Sequence, residues 1–153
     1  MSKKVVFKTY HQDQLSLLPP SYDDLVPINH PVRVVNTIID HLDITALEQS
    51  YKGGGTSSYH PRMLLKVIIY AYLRNLYSSR KIEQALSENI HFMWLSGQNK
   101  PDHNTINDFR GKRLKGHLKK IFNQVVLLLV EQGVVNLKDL YVDGTKIEAN
   151  ANR

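Results

Sequence analysis

Two features of this sequence could do chemistry: one aspartate near the end of the chain, and a run of cations ahead of it. Asp143 lies in the stretch YVDGTKI, residues 141–147, where a carboxylate could be a ligand of a divalent metal. The cations fall between residues 110 and 120 with no acid among them, and they could contact a phosphate backbone. They are Arg110, Lys112, Arg113, Lys115, Lys119 and Lys120.

The residues around Asp143 also admit a purely structural interpretation. The pair Asp143-Gly144 stands between two short β-prone stretches, residues 140–142 and 145–147, which is a strong signal for a hairpin turn. One carboxylate does not make a two-metal site. Taken alone, these residues favour a turn aspartate over a metal ligand.

The cationic run has two interpretations as well. Phe109, Leu114, Leu118 and Ile121 mark a buried stripe at helical spacing, which leaves the cations on the other faces. Like charges one turn apart repel each other, and a nucleic-acid backbone would relieve that cost. A merely solubilising face usually carries both signs. The single sign therefore favours nucleic acid over a solvated surface.

The overall charge supports a polyanionic partner. The net charge is +6 and the pI about 9.5. The segment from Arg62 to Lys120 holds twelve Lys or Arg against four Asp or Glu, whereas the remainder holds eight against ten. Positive charge concentrated in the middle of a chain favours a partner whose counterions it can release, although a solvated basic face has the same composition.

The elements that must position these residues are predicted to be mainly helical. Residues 1–30 are predicted to be an irregular arm because three prolines interrupt them, and residues 31–133 a helical DNA-binding domain. Helices are expected over 31–42, 44–51, 61–76 and 80–89, followed by a short apolar segment at 91–95 that Gly97 ends. A long basic helix, with a capping box at Thr105, is expected to run from 104 or 105 to 133. Residues 140–147 are predicted to form a short strand or hairpin.

Helices 61–76 and 80–89 and the turn between them have helix-turn-helix proportions. Arg80 and Lys81 stand at the start of the second of these helices, where such motifs contact DNA. Four tyrosines could stack on bases, with core or rim packing as the alternative: Tyr59, Tyr70, Tyr72 and Tyr77.

Several classes of protein are disfavoured by composition. There are no cysteines, and no two of the seven histidines lie three or four residues apart, so a zinc site is not expected. The longest apolar runs, residues 67–73 and 125–130, are far shorter than the roughly 20 residues that a membrane span needs. A soluble cytoplasmic protein, associated with the bacterial nucleoid through DNA, is the expectation.

Seven collinear segments resemble bacterial insertion-sequence DDE transposases with an InsH-like N-terminal domain. The last, DLYVDGTKIEANANR at 139–153, is similar to the family's first-aspartate segment. The six before it are, in order, DQLSLLPP (13–20), VPINHPVR (26–33), YHPRMLLK (59–66), SRKIE (79–83), WLSG (94–97) and KPDHNTINDFR (100–110). The resemblance covers essentially the whole chain.

The resemblance implies a fold, a reaction and a partner. A helical domain that binds terminal inverted repeats and pairs transposase subunits would precede an RNase H-like catalytic domain. Asp143 would be the first acid of that domain's triad and a ligand of Mg²⁺, which positions attacking and leaving oxygens in the full-length enzyme. The second aspartate and the glutamate are absent, so residues 139–153 would only begin the catalytic domain. The resemblance therefore implies a catalytically incomplete chain, with no cofactor expected in the fragment.

Two non-enzymatic functions remain open from the sequence. A truncated transposase that binds element ends or pairs with full-length subunits would repress transposition. A helical protein-interaction module with an incidental basic face would give a similar composition and periodicity.

Overall fold

The computed structural model describes residues 8–9, 11–52 and 58–133, and this part of the chain is mainly helical, as predicted. Eight α-helices form in it, and no strand does. They are α1 (Tyr22–Leu25), α2 (Pro31–Asp40), α3 (Thr45–Gln49), α4 (Pro61–Leu73), α5 (Ser79–Glu88), α6 (Ile90–Leu95), α7 (His103–Asp108) and α8 (Leu118–Glu131). The predicted hairpin at 140–147 and the start of an RNase H-like domain at 139–153 lie outside the described residues. No helix in the described ranges is long and apolar enough to cross a membrane.

Helices α2 and α4 begin in the same way. Each begins at a His-Pro pair, in which the histidine is the N-cap and the proline is the first helical residue. His30 Nδ1 accepts the backbone N–H of Val32 at 3.2 Å, and His60 Nδ1 accepts that of Arg62 at 3.1 Å. A proline fits this position because its missing N–H would have had no helical partner. The predicted first-turn positions of both prolines are confirmed.

Helix α4 is the centre of the core, as its nearly all-round apolar sequence predicts. It packs against α2, α5 and α6, and its buried residues belong to the same core cluster as Ile106 of α7. Two aromatic side chains lie in the middle: Tyr70 of α4 and Phe92 of α6 have ring centroids 4.9 Å apart and are almost fully buried. Burying aromatic rings of this size is a large part of what stabilises the bundle.

The prediction of one continuous helix from residue 104 or 105 to 133 is wrong. The chain instead forms α7, a π-helical turn (Phe109–Arg113), a 3-10 turn (Leu114–Gly116) and then α8. The backbone N–H of Leu114 donates to the carbonyl of Phe109, which is the i to i+5 bond of a π turn. Gly111 and Gly116 lower the helix propensity of this stretch. The change of winding lets Phe109, Leu114 and Ile121 all reach the core.

The predicted capping box at Thr105 is also replaced by another cap. Helix α7 begins at His103, one or two residues earlier than predicted, because Asp102 is the N-cap and its Oδ1 accepts the Thr105 N–H at 2.7 Å. This hydrogen bond holds the pKa of the Asp102 carboxyl below its usual value. A capping aspartate of this kind satisfies an N–H group that has no partner inside the helix.

The segment predicted as an irregular arm contains one helical turn, α1. Ser21 and Asp24 form its capping box, and the hydrogen bonds from Ser21 lower the pKa of Asp24. Arg33 of α2 ties this turn to the bundle through four acceptors in residues 23–27. Val26, which follows the turn, is consequently buried in the core.

Candidate nucleic-acid interface

The turn between α4 and α5 has a fixed geometry, and it presents two of the predicted DNA contacts. Helix α4 ends at Leu73 rather than at residue 76, because Asn75 adopts a left-handed conformation with φ of 57°. The Leu76 N–H then reaches back to the Ala71 carbonyl at 2.8 Å, which is the Schellman arrangement. Arg80 and Lys81 follow in the first turn of α5 and are both exposed.

Arg110, by contrast, makes contacts inside the protein. Its Nη1 donates to the carbonyl of Tyr77 at 2.7 Å and lies 3.4 Å from the Tyr72 hydroxyl, while Nη2 donates to Asn107 Oδ1 at 2.9 Å. The side chain therefore ties the π turn to the segment that leads into α5. It also joins this part of the basic run to Tyr77, which precedes α5 in the chain.

Arg113 is engaged in a similar way on the other side of the π turn. Its guanidinium carbon lies 3.9 Å from the centroid of the Tyr51 ring, and its Nη1 donates to the Ser50 carbonyl at 3.1 Å. Stacking on an aromatic face leaves the edge of a guanidinium free to donate. This contact joins the π turn to the end of α3.

The four lysines of the run are more exposed than its arginines. Lys112 pairs with Asp108 one turn earlier, at 2.8 Å, and both side chains are mostly exposed. Lys115, Lys119 and Lys120 are exposed, and none has a carboxylate within 4 Å among the described residues. They follow one another along the 3-10 turn and the first turn of α8.

Sequence reasoning missed that other cations of the central block are structural. Arg62 Nη1 donates to the carbonyls of Ile39 and Leu42 at 2.6 and 3.0 Å, at the end of α2. Lys66 binds Asp40 at 2.6 Å and is largely buried. A signal was available, because both cations lie on the otherwise apolar helix α4, where a charge needs an internal partner.

The four tyrosines divide between core and surface. Tyr70 is buried, so it packs as a core residue and cannot stack on a base. Tyr59 is partly buried against the core. Tyr72 and Tyr77 are exposed, and their ring centroids lie 5.6 Å apart beside Arg110. These two rings are the only members of the set that lie at the predicted interface.

The predicted metal ligand, Asp143, lies outside the described residues. Among residues 8–9, 11–52 and 58–133, no group of three or more His, Asp or Glu side chains is placed to hold a metal ion. The carboxylates near the basic run have other contacts. Asp108 pairs with Lys112, and Glu83 binds His103 Nδ1 at 2.8 Å between α5 and α7.

Comparison with known proteins identifies the family. The sequence matches the family model of a transposase domain, DUF772, over residues 20–112. No curated protein and no solved structure matches the chain in the corresponding comparisons. The matched stretch begins just before α1, includes the α4–α5 pair and ends within the π turn, and it is more than half of the 153 residues. The chain therefore belongs to the DUF772 transposase domain family.

Proposed function

We propose that this chain is the DNA-binding N-terminal part of a DDE transposase, and that it recognises the terminal inverted repeats of an insertion sequence. The transposase-domain match over residues 20–112 is the observation that carries the proposal. A transposase must bind DNA, and exposed lysines without an acidic partner attract the phosphates of a DNA backbone.

Two groups of cations would have different roles in the interface, one contacting bases and the other contacting phosphates. Arg80 and Lys81, at the start of α5, would meet the major groove, as the start of the second helix does in a helix-turn-helix pair. Lys115 in the 3-10 turn, and Lys119 and Lys120 in the first turn of α8, would contact phosphates. Arg110 joins the two regions through its bond to the Tyr77 carbonyl.

We propose no metal-dependent step for the chain. In the DDE enzymes that it resembles, three carboxylates hold two Mg²⁺ ions, and Asp143 supplies only one of the three. A mixture of the chain, Mg²⁺ and duplex DNA carrying element ends is therefore expected to give no strand cleavage. Cleavage that disappears in Asp143→Ala would contradict this part of the proposal.

Fluorescence-polarisation titrations test the DNA-binding proposal. One labelled duplex carries the end sequence of the element that encodes the chain, and a second has the same length and a shuffled sequence. The chain is expected to bind the first duplex more tightly, and its affinity for both should fall steeply as salt rises. Equal affinity for the two duplexes, together with no salt dependence, would rule out the proposal.

A pair of variants locates the interface. Arg80→Gln combined with Lys81→Gln should reduce the preference for the end sequence. The control removes two exposed cations outside both runs, Lys8→Gln and Lys100→Gln, and should leave that preference unchanged.

Exposed apolar side chains favour a second candidate, a protein-interaction module. Leu15, Leu17 and Leu18 are 93%, 99% and 84% exposed, and Phe122 of α8 is 53% exposed. Such a module does not require the basic run. Charge reversal at Arg113, Lys115 and Lys119 without loss of DNA affinity would favour it over the transposase proposal.

A further inference from the structure

A cavity lies where the π turn and the 3-10 turn separate α7 from α8. It has a volume of about 440 Å³ and opens to solvent. Its lining consists of Ser50, Asp108, Lys112, Arg113, Gly116 and His117. Backbone irregularities inside a helical stretch often occur at functional sites, and this one coincides with the densest cations in the chain.

Arg113 is held in place on the wall of this cavity before any ligand arrives. Tyr51 covers one face of its guanidinium at 3.9 Å, and the Ser50 carbonyl takes an Nη1 proton at 3.1 Å. A guanidinium has five N–H donors, so most remain free for an acceptor in the cavity. Because the side chain is already ordered, binding costs less conformational entropy than at a free arginine.

The remaining lining residues determine where an anion would sit. Lys112 and Asp108 both line the cavity and pair at 2.8 Å, so the negative charge of Asp108 offsets part of the attraction of Lys112 for an anion. His117, which also lines the cavity, is the N-cap residue of α8, and its side chain makes no capping bond. The space above Gly116 is open, since a Cβ atom there would meet nothing within 4 Å.

We infer that this cavity binds one phosphate group of a DNA backbone, between Arg113 and His117, with Lys112 at its rim. This inference rests on the proposed function and assigns a site to it. A planar guanidinium can bind two phosphate oxygens at once, which a lysine cannot do. Beyond the cavity, Lys115, Lys119 and Lys120 continue the positive surface, as the contacts of a polymeric anion require.

Three variants of the full chain test the site through the salt dependence of duplex binding. Lys112→Gln should lower the slope of log affinity against log salt by about 0.9, the value for one lost phosphate contact. Asp108→Asn should have the opposite effect and raise affinity, because it removes the repelling charge. Lys100→Gln, an exposed lysine elsewhere, is the control and should match the unaltered protein.

Arg113→Lys separates geometry from charge. It keeps the cation but loses the planar fork, so affinity should fall at least several-fold while the salt slope stays near that of the unaltered protein. Thermal melts show whether each variant is folded. If Arg113→Lys unfolds, the Lys112→Gln and Asp108→Asn variants still test the site, because both side chains are exposed. Duplex binding that is insensitive to both Lys112→Gln and Asp108→Asn would overturn the site while leaving the proposed function intact.

Inorganic phosphate separates the two sources of the ligand. Amide NMR shifts during a phosphate titration, at ionic strength matched with chloride, should move at Gly116 and His117. This arm does not depend on DNA binding, so it decides for or against the cavity even if the chain fails to bind duplexes. Shifts at these amides with phosphate, without any duplex binding, would support an anion site and reject the DNA backbone as its ligand. No localised shift would overturn the site.

Discussion

Replacing Arg110 distinguishes between two roles for a residue that the sequence predicts to contact DNA. Its guanidinium is already bound to the Tyr77 carbonyl and to Asn107, so we expect its loss to destabilise the fold before it affects any ligand. Arg110→Lys keeps the charge and can make at most part of this network. Arg110→Gln removes the charge as well.

The size of the effect follows from the partners. Hydrogen bonds from a charged donor contribute roughly 1.5–3 kcal/mol, and the 2.7 Å bond to the Tyr77 carbonyl is the strongest one here. The half-buried position of Arg110 places this bond at the low end of that range. The bond to the exposed Asn107 adds about 0.5 kcal/mol, and the 3.4 Å contact with the Tyr72 hydroxyl adds little. Arg110→Gln should therefore cost about 2 kcal/mol, and Arg110→Lys nearly as much.

Urea unfolding followed by circular dichroism measures this cost directly. The control is Lys115→Gln, an exposed cation in the same run, which should change the free energy of unfolding by less than about 0.5 kcal/mol. If both Arg110 variants were as stable as the unaltered protein, the bonds to residues 77 and 107 would not be stabilising. Arg110 would then be available to DNA, as the sequence alone predicts.

Three further outcomes follow from the same contacts. The double substitution Lys119→Gln and Lys120→Gln removes two exposed cations. It should lower the slope of log affinity against log salt by about 1.8, and the duplex affinity at 0.15 M salt by roughly 30-fold. The stability of the fold should change little. Burial lowers the pKa of His91, whose ring stacks at 3.9 Å on another imidazole. The unfolded chain therefore protonates His91 more readily than the folded chain does. Stability should therefore fall as pH drops below the ordinary histidine value of 6.5, and chemical unfolding of His91→Gln should show a weaker fall. Arg33→Lys should cost about 2 kcal/mol in urea unfolding, because one ammonium cannot reach all four acceptors in residues 23–27; an unchanged midpoint would contradict this.

The parts of the fold that sequence could predict are those in which one local signal determines the outcome. A proline at a first helical position fixes φ and needs no N–H partner, so both Pro31 and Pro61 mark helix starts correctly. The run 64–73 is apolar on nearly all sides, so a helix formed by it must be buried, and α4 is accordingly central.

The break between α7 and α8 was not predictable from the same kind of signal. The stripe Phe109, Leu114, Ile121 fits an uninterrupted helix, and glycines such as Gly111 lower helix propensity without forbidding it. In the folded bundle these apolar residues belong to the same buried cluster as residues of α4, α5 and α6. That information lies in tertiary packing rather than in local periodicity.

For the candidate site, the sequence identified the cations but not their partners. Arg33, Arg62, Arg110 and Arg113 all donate to backbone carbonyls, whereas Lys115, Lys119 and Lys120 remain exposed. A planar, weakly hydrated guanidinium can satisfy several carbonyls at once, but an ammonium keeps its hydration more readily at the surface. The net charge of the central segment therefore overstates the charge that DNA could use.

This division between arginines and lysines bears on how the chain would recognise a DNA end. Exposed lysines act as point charges on phosphates and carry no sequence information, so the start of α8 would contribute affinity to every duplex alike. Reading base edges requires a group that reaches into a groove, and Arg80 is the exposed arginine in the first turn of α5. Because Arg110 holds the Tyr77 segment that leads into α5, the helix that would discriminate sequences is fixed to the turn that carries the cations. Affinity and discrimination would thus reside on separate elements, joined by an arginine that need not touch DNA.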